Sequence, residues 1–285
     1  MQVFQVLSRT PTAELPDLAR HVEALGFDGI ALSDHLVRPR STISRYPYSP
    51  DGQMEAGTAT PYPDCWVTIA ALAQLTRRVR FLSSVYVLPM RDPFSVAKAV
   101  STAAVLSGER VLLGIGMGWM QEEFALTGQR FDARGRRSDE MLEVIAKLFS
   151  GEMVEHHGEF YDFAPLQMQP VPSRRPPVLV GGHSEAALRR AARNDGWIGV
   201  HYDLPEALER LARMRTLRRD IGRPDAPFSI ALALTQSPDS DARRRLEEAG
   251  MTILLHPAPW SADPAGSTPG DRRDALERAA ARVLG

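Results

Sequence analysis

One cysteine, Cys65, stands alone in a chain of 285 residues. An internal disulfide is thereby excluded, as is any thiolate cluster for zinc or iron–sulfur, and Cys65 itself is expected to be a buried small hydrophobe. An excess of charge of either sign is also missing: 34 Lys and Arg against 35 Asp and Glu leave a net charge of -1. Such a chain offers no electrostatic footprint for nucleic acid or an anionic membrane. Its apolar runs are no longer than a strand, and its N-terminus enters a strand within a few residues. The sequence therefore predicts neither a membrane span nor a signal peptide, and points to the cytoplasm. Small-molecule chemistry is what remains.

Several motifs lack one decisive residue. The run Gly114-Ile-Gly-Met-Gly-Trp119 fails as a dinucleotide fingerprint because position 119 would have to be glycine, and no Walker lysine follows Gly118. Histidines spaced His-x-His or His-x-x-x-His, which would aim two imidazoles at one metal ion, do not occur. His156 and His157 are adjacent and read as solvated. Carboxylates are scarce at the strand ends, which argues against paired-carboxylate glycoside hydrolysis.

What is present is a rhythm. At 44% hydrophobic and 24% charged residues the chain can bury a large core, as one barrel-type domain or two smaller ones. Short apolar runs alternate with amphipathic stretches, the mark of βα units around a parallel sheet. Val3–Leu7, Asp28–Leu32, Arg80–Val85 and Arg110–Trp119 read as the first four strands. Helices are expected from Thr12 to Leu25, after an Asp64 N-cap with Ile69, Leu72 and Leu75 on one face, from Pro93 to Leu106, and from Ser138 to Phe149. Val178–Gly182, Trp197–Val200, Phe228–Leu234 and Met251–Leu255 supply strands five to eight, with helices after Ser184, over Pro205–Asp220 and over Arg272–Leu284. Eight units without a boundary linker describe a (β/α)8 TIM barrel, one domain over residues 1–285, against which a doubly wound open sheet is the competitor. Two stretches break the rhythm. Gly158–Pro177, between strands four and five, is aromatic and proline-rich and is expected as an excursion over the barrel mouth, and Leu36–Pro63, too long for a simple connection, follows strand two on the catalytic side of a barrel and is expected to be functional or mobile.

Barrel enzymes build their sites at the C-terminal strand ends, where this chain sets Ser8, Ser33-Asp34-His35, Ser83-Ser84-Val85, Gly116 to Trp119, Gly181-Gly182-His183, His201 and His256. Gly114, Gly116 and Gly118 share one strand face and leave it bare, so that a flat ligand could lie there. Gly181-Gly182-His183-Ser184 joins a strand end to a helix N-terminus, which is either an anion site or a tight turn with an ordinary Ser cap. His35 is placed to exchange a proton near neutral pH or to cap loop backbone. His183, His201 and His256 raise a rival, a metal-dependent barrel hydrolase. Trp119, Phe124, Phe160, Tyr161, Phe163 and Trp197 are either core or the walls of an apolar pocket, and Arg130–Arg137 reads as a solvated start to a helix.

In order and spacing, five segments resemble the luciferase-like monooxygenase superfamily, in particular its coenzyme F420-dependent oxidoreductases. They are Ala24-Leu-Gly-Phe-Asp-Gly29 leading to Ser33-Asp34-His35, Leu88-Pro-Met-Arg-Asp-Pro93, Gly114 to Trp119 with Glu123-Phe124, Gly158-Glu-Phe-Tyr161 through to Gly182, and Asp195-Gly-Trp197. The match spans most of residues 1–200 and thins beyond. The resemblance implies a (β/α)8 barrel holding coenzyme F420, or FMN in the monooxygenases, at its C-terminal mouth. It implies a cis peptide at Ser84-Val85 in a bulge of strand three, with Ser83, Ser84 and Val85 behind the ring, Gly116, Met117, Gly118 and Trp119 flanking it, and Gly181, Gly182, His183 and Ser184 taking its phosphate. Asp34 and His35 would line the ring and substrate side, His35 handling a proton and Asp34 orienting a cofactor or substrate group. Hydride transfer to or from a small organic substrate is the implied reaction, with FMN-dependent monooxygenation as its alternative, and a binding protein without catalysis as a third. Family members are commonly dimers, so a homodimer is the implied assembly.

Overall fold

Along β1, Gln2–Val6, side chains alternate between two apolar clusters: Phe4 and Val6 enter the lumen of a closed sheet, while Val3 faces the helices around it. The computed structural model describes residues 1–54, 57–260 and 267–284. After β1 a short 3-10 turn leads into α1, Leu15–Leu25, which Gly26 ends in the left-handed conformation at φ 99°. β2 is Gly29–Leu32, and α2, Cys65–Leu75, starts where Asp64 accepts from the amides of Trp66 and Val67 at 3.0 and 2.9 Å. β3, Arg80–Ser83, breaks at the Ser84-Val85 peptide, which is cis, and resumes as the two-residue β4, Tyr86–Val87. α3, Pro93–Leu106, has the predicted bounds, and β5 is Val111–Gly116.

Two helices follow, α4, Gln121–Leu126, and α5, Arg134–Leu148, and then a hairpin of β6, Val154–His157, and β7, Asp162–Leu166. The chain returns as β8, Val178–Gly181, then α6, Glu185–Arg193, β9, Gly196–Tyr202, α7, Leu204–Asp220, and β10, Ser229–Leu234. α8, Ser240–Glu248, β11, Ile253–His256, and α9, Pro269–Val283, complete it. β1 pairs with β2 and β11, and the parallel ladder runs on through β3, β5, β8, β9 and β10 until it closes; β3 and β4 make one stave. The architecture is thus the expected (β/α)8 barrel, with the lumen plugged by side chains such as Phe4, Leu82, Leu179 and Ile198.

Several expectations need correction. The 158–177 excursion does not cover the mouth. Its hairpin lies against α5 and α3: Glu140 accepts from the amides of Phe160 and Tyr161, Phe163 stacks edge-on with Phe94 at 5.2 Å, and Ser101 Oγ donates to Pro170 O. His156, read as solvated, is buried between Glu140 and Lys147. Arg137, in the stretch read as a solvated start to a helix, is buried and donates to the carbonyls of Pro89 and Arg91. Leu75 turns out from α2 rather than in with Ile69 and Leu72. Cys65 is buried as expected. Of the irregular stretch after β11, residues 261–266 lie outside the described residues.

Candidate active site

Sequence places Asp34 and His35 one after the other at the end of β2, and the structure sends them to different work. Asp34 is 5% exposed and engaged on both oxygens: Oδ2 accepts from Val87 N at 2.9 Å, and Arg91 grips both, Nη1 at 2.6 Å and Nη2 at 2.8 Å. Three protein hydrogen bonds to this carboxylate give it a structural partner set in place of the expected role of orienting a cofactor or substrate group. Asp34 instead ties β2 to β4. His35 Nδ1 lies 2.9 Å from Glu123 Oε2, both side chains nearly buried. Oε1 of the same carboxylate accepts from Leu36 N and Val37 N at 2.8 and 3.3 Å. An ionised Glu123 requires the proton on Nδ1, which leaves Nε2 as the nitrogen available for proton exchange. Glu123 appeared in the sequence only as part of a resemblance; its spacing of 88 residues from His35 carries no local signal.

The glycines are explained by protein rather than ligand. A Cβ on Gly114 would stand 1.9 Å from Ser83 O, one on Gly116 2.4 Å from Val85 Cγ2, and one on Gly181 2.6 Å from Val85 Cγ1. The bare face is therefore filled, by the β3 backbone and by Val85, and the flat ligand expected on the stripe cannot rest there directly. Ser83 is wholly buried and trades hydrogen bonds with Gly114, Oγ to O at 2.8 Å and N to Oγ at 3.0 Å, which removes it from the surface of the mouth. Met117 packs outward against the helix-facing cluster. Val85, Val6 and Ala233 close the lumen from above, packed against the inner cluster yet only partly buried, and form an apolar floor. Ser84 beside Val85 is also part-exposed, and Gly118 turns the chain at φ 75° to set Trp119 over the mouth.

Over this floor runs the segment after β2, in aromatic steps that sequence reading left unnamed. Tyr62 meets the His35 ring at 4.9 Å, His35 meets Trp119 at 6.2 Å, Trp119 meets Tyr46 at 5.2 Å, Tyr46 meets Tyr48 at 5.3 Å, and Tyr48 meets His183 at 4.6 Å. Burial pushes the Tyr48 hydroxyl up to about 12. The cover is pinned at α4: Glu122 accepts from Ile43 N at 2.6 Å and Ser44 N at 3.1 Å, and Ser44 Oγ accepts from Gln121 N at 2.9 Å. Of the aromatics singled out in the sequence, only Trp119 stands here. Phe124 and Trp197 are core, and Phe160, Tyr161 and Phe163 belong to the hairpin flank.

At the β8 end, Gly182 takes φ 132° and Ser184 Oγ accepts from Ala187 N at 3.2 Å, so the ordinary cap is real. It leaves the helix terminus open to an anion as well. His183 Nε2 is buried without a hydrogen-bond partner, and burial first, then Arg210 and His201, lowers the ring to about 4. His256, named for the metal rival, faces outward, its Nδ1 3.1 Å from Gln5 Oε1 and its Nε2 3.3 Å from Arg282. It does not converge with His183 and His201, so the three-histidine site of the hydrolase reading is not assembled.

A barrel whose mouth carries an imidazole–carboxylate pair, an apolar floor and a helix N-terminus defines the class, and comparison with known proteins places it. The profile of the luciferase-like monooxygenases matches residues 3–284, and the chain belongs to that family, whose members are oxidoreductases. An uncharacterized protein of Mycobacterium tuberculosis is 42% identical over 239 residues, 84% of this chain and 82% of its own length. The F420-dependent glucose-6-phosphate dehydrogenase of Microbacterium testaceum is 31% identical over 197 residues, 68% of this chain and 54% of that enzyme. Among solved structures, an F420-dependent secondary alcohol dehydrogenase in complex with an F420-acetone adduct superposes with TM-score 0.77 over 99% of this chain and 98% of its own, at 14% identity. A type II Baeyer–Villiger monooxygenase of Pseudomonas putida in complex with FMN superposes with TM-score 0.64 over 82% and 66%, at 16% identity. Among the described residues no helix is long and apolar enough to cross a membrane.

Proposed function

We propose that the protein is a coenzyme F420-dependent oxidoreductase that moves a hydride between the deazaflavin and a small organic substrate. The observation that carries this reading is the His35–Glu123 pair, an imidazole oriented by a buried carboxylate at the edge of an apolar, aromatic-covered mouth. The F420-dependent glucose-6-phosphate dehydrogenase at 31% identity favours the deazaflavin over FMN.

The residues present fit such a group. Val6, Val85 and Ala233 offer a nonpolar floor of the kind a planar heterocycle needs, and the orphaned His183 Nε2 beside the start of α6 suits a phosphate. Val85 and Ser84 would hold the ring from below, Gly118 and Trp119 would bound it, and Gly182 to Ser184 would take the tail. When bound, a deazaflavin accepts or donates a hydride and reacts scarcely at all with oxygen. Hydride movement at an alcohol carbon is matched by a proton on its oxygen. His35 Nε2 is the atom that exchanges that proton, while Glu123 holds the ring by Nδ1 and stabilises the imidazolium. Tyr46, Tyr48 and Tyr62 exclude water from above. Fluorescence titration of the purified protein with coenzyme F420 and with FMN tests the reading: quenching of F420 at micromolar concentration supports it, and tight binding of FMN alone replaces it with the monooxygenase.

We also propose a homodimer. α2 and α3 expose Val67, Leu75, Phe94, Val105 and Leu106 toward the outside of the barrel, an apolar face of the kind subunits cover. Light scattering on the wild type should give twice the chain mass, and Val67→Glu with Leu106→Glu should halve it; a monomeric wild type ends the proposal.

A further inference from the structure

The cover is held to the barrel by different means at its root and at its tip. Polar bonds fix the root, with the amides of Ile43 and Ser44 on Glu122 and the amide of Gln121 on Ser44 Oγ. Residues 45–53 instead fold on themselves: Tyr46 N donates to Gly52 O at 2.8 Å, Gly52 N to Ser49 O at 3.2 Å, Arg45 Nη2 to Asp51 O at 3.2 Å, and Ser49 Oγ to Gln53 O at 2.7 Å. Pro47 and Pro50 fix φ on either side of Tyr48, so the tip is a compact, stiff loop. Rings join it to the barrel, Tyr46 to Trp119 at 5.2 Å, and Tyr48 edge-on to His183 at 4.6 Å and near-parallel to His201 at 6.3 Å with planes at 26°. Ring contacts of this kind are individually weak.

The position over the mouth also carries costs. The His183 ring, with Tyr48 at its edge, lies on Tyr202 with centroids 4.7 Å apart, and His183 Nε2 and the Tyr202 hydroxyl are both buried without a hydrogen-bond partner. Each of these groups can donate or accept, so contact with water would satisfy either one. His201, under the same tyrosine, is held at φ 61°, the left-handed region that is strained for a residue with a side chain. Weak contacts thus oppose two local penalties. We infer that residues 45–53 are a gate that swings as one body about Ser44, that Tyr48 is its latch, and that a ligand reaches the turn at 182–184 only while the gate is open. The gate stands on the ring contacts and the self-contained tip, whereas a deazaflavin as the ligand it admits rests on the function proposed above. A gate open about one part in ten slows association about tenfold.

Two measurements on the full chain test the gate, the first without any ligand. Tetranitromethane attacks the phenolate, so Tyr48, whose hydroxyl stands at about 12 rather than 10 in the closed position, is nitrated slowly until the gate opens. Trp119→Leu removes the ring on which Tyr46 rests and leaves both histidines beside Tyr48 in place. Peptide mass spectrometry should find Tyr48 nitrated severalfold faster in that variant, while Tyr86, 5% exposed in β4, stays unmodified and shows the barrel intact. Tyr46→Leu takes its place if Tyr86 reacts. An unchanged rate at Tyr48 means that the two tyrosines dock separately and overturns the gate. The second measurement is stopped-flow fluorescence with coenzyme F420 and with FMN, in which Tyr48→Ala should associate about tenfold faster than wild type with whichever cofactor binds. Equal association rates overturn the gate and leave the cofactor reading in place. If neither cofactor binds either protein, the cofactor reading falls and the nitration result alone upholds or overturns the gate.

Discussion

Glu123 Oε2 stands 2.9 Å from His35 Nδ1, and Oε1 of the same carboxylate holds the amides of Leu36 and Val37. One buried side chain thus orients the imidazole and fixes the first residues of the cover above it. Glu123→Gln keeps an acceptor for the two amides but offers His35 an amide in place of a charge. Turnover should fall by about one to two orders of magnitude, as for lost orienting partners of catalytic groups, with little change in cofactor affinity. Steady-state kinetics beside a fluorescence titration separate the two. An equal loss in both would make Glu123 a structural clamp alone.

Asp34→Asn probes the neighbouring carboxylate, assigned here to architecture. Removing one charge of a buried, bidentate pair leaves Arg91 uncompensated and costs about 3 kcal/mol, or roughly 5–10 °C in melting temperature for a chain of this size. Calorimetry should show that drop. An unchanged melting temperature accompanied by lost cofactor binding would return Asp34 to the ligand.

Gly116→Ala sets a methyl group against Val85, whose χ1 is stiff, so it should destabilise by about 1–3 kcal/mol. Val85→Ala in the same chain removes the opposing methyl and should recover most of the loss. Thermal melts of the two single variants and the double variant close the cycle. Strictly additive losses would mean that the two residues do not share that space.

The imidazoles of His183 and His256 are both lowered from 6.5 to about 4, chiefly by burial. Between those values the unfolded chain binds more protons at these sites than the folded chain, so their contribution to stability is present above pH 6.5 and lost as pH falls toward 4. Denaturant melts across that window should show stability declining with acid, and His256→Gln should flatten the decline. A slope identical in the variant would remove His256 from the account.

Sequence alone determined what is periodic or local. The alternation of strand and helix gave the barrel, Asp64 and Ser184 announced their caps, Pro93 and Leu106 bounded α3, and five ordered segments named the family. These signals survive in one dimension because capping and amphipathicity act within a turn or two of the chain. Tertiary structure decided the partners. Asp34 and Arg91 are 57 residues apart, His35 and Glu123 are 88 apart, and nothing between them records the meeting. Closure of the sheet pressed Val85 into the room beside Gly116 and Gly181, turning an apparent ligand surface into a packing solution, and turned His256 out of the mouth. It also decided which long loop became the cover. Proline content marked 158–177 as irregular, but the carboxylates of Glu122 and Glu123 captured the segment after β2 and drew its tyrosines across the barrel.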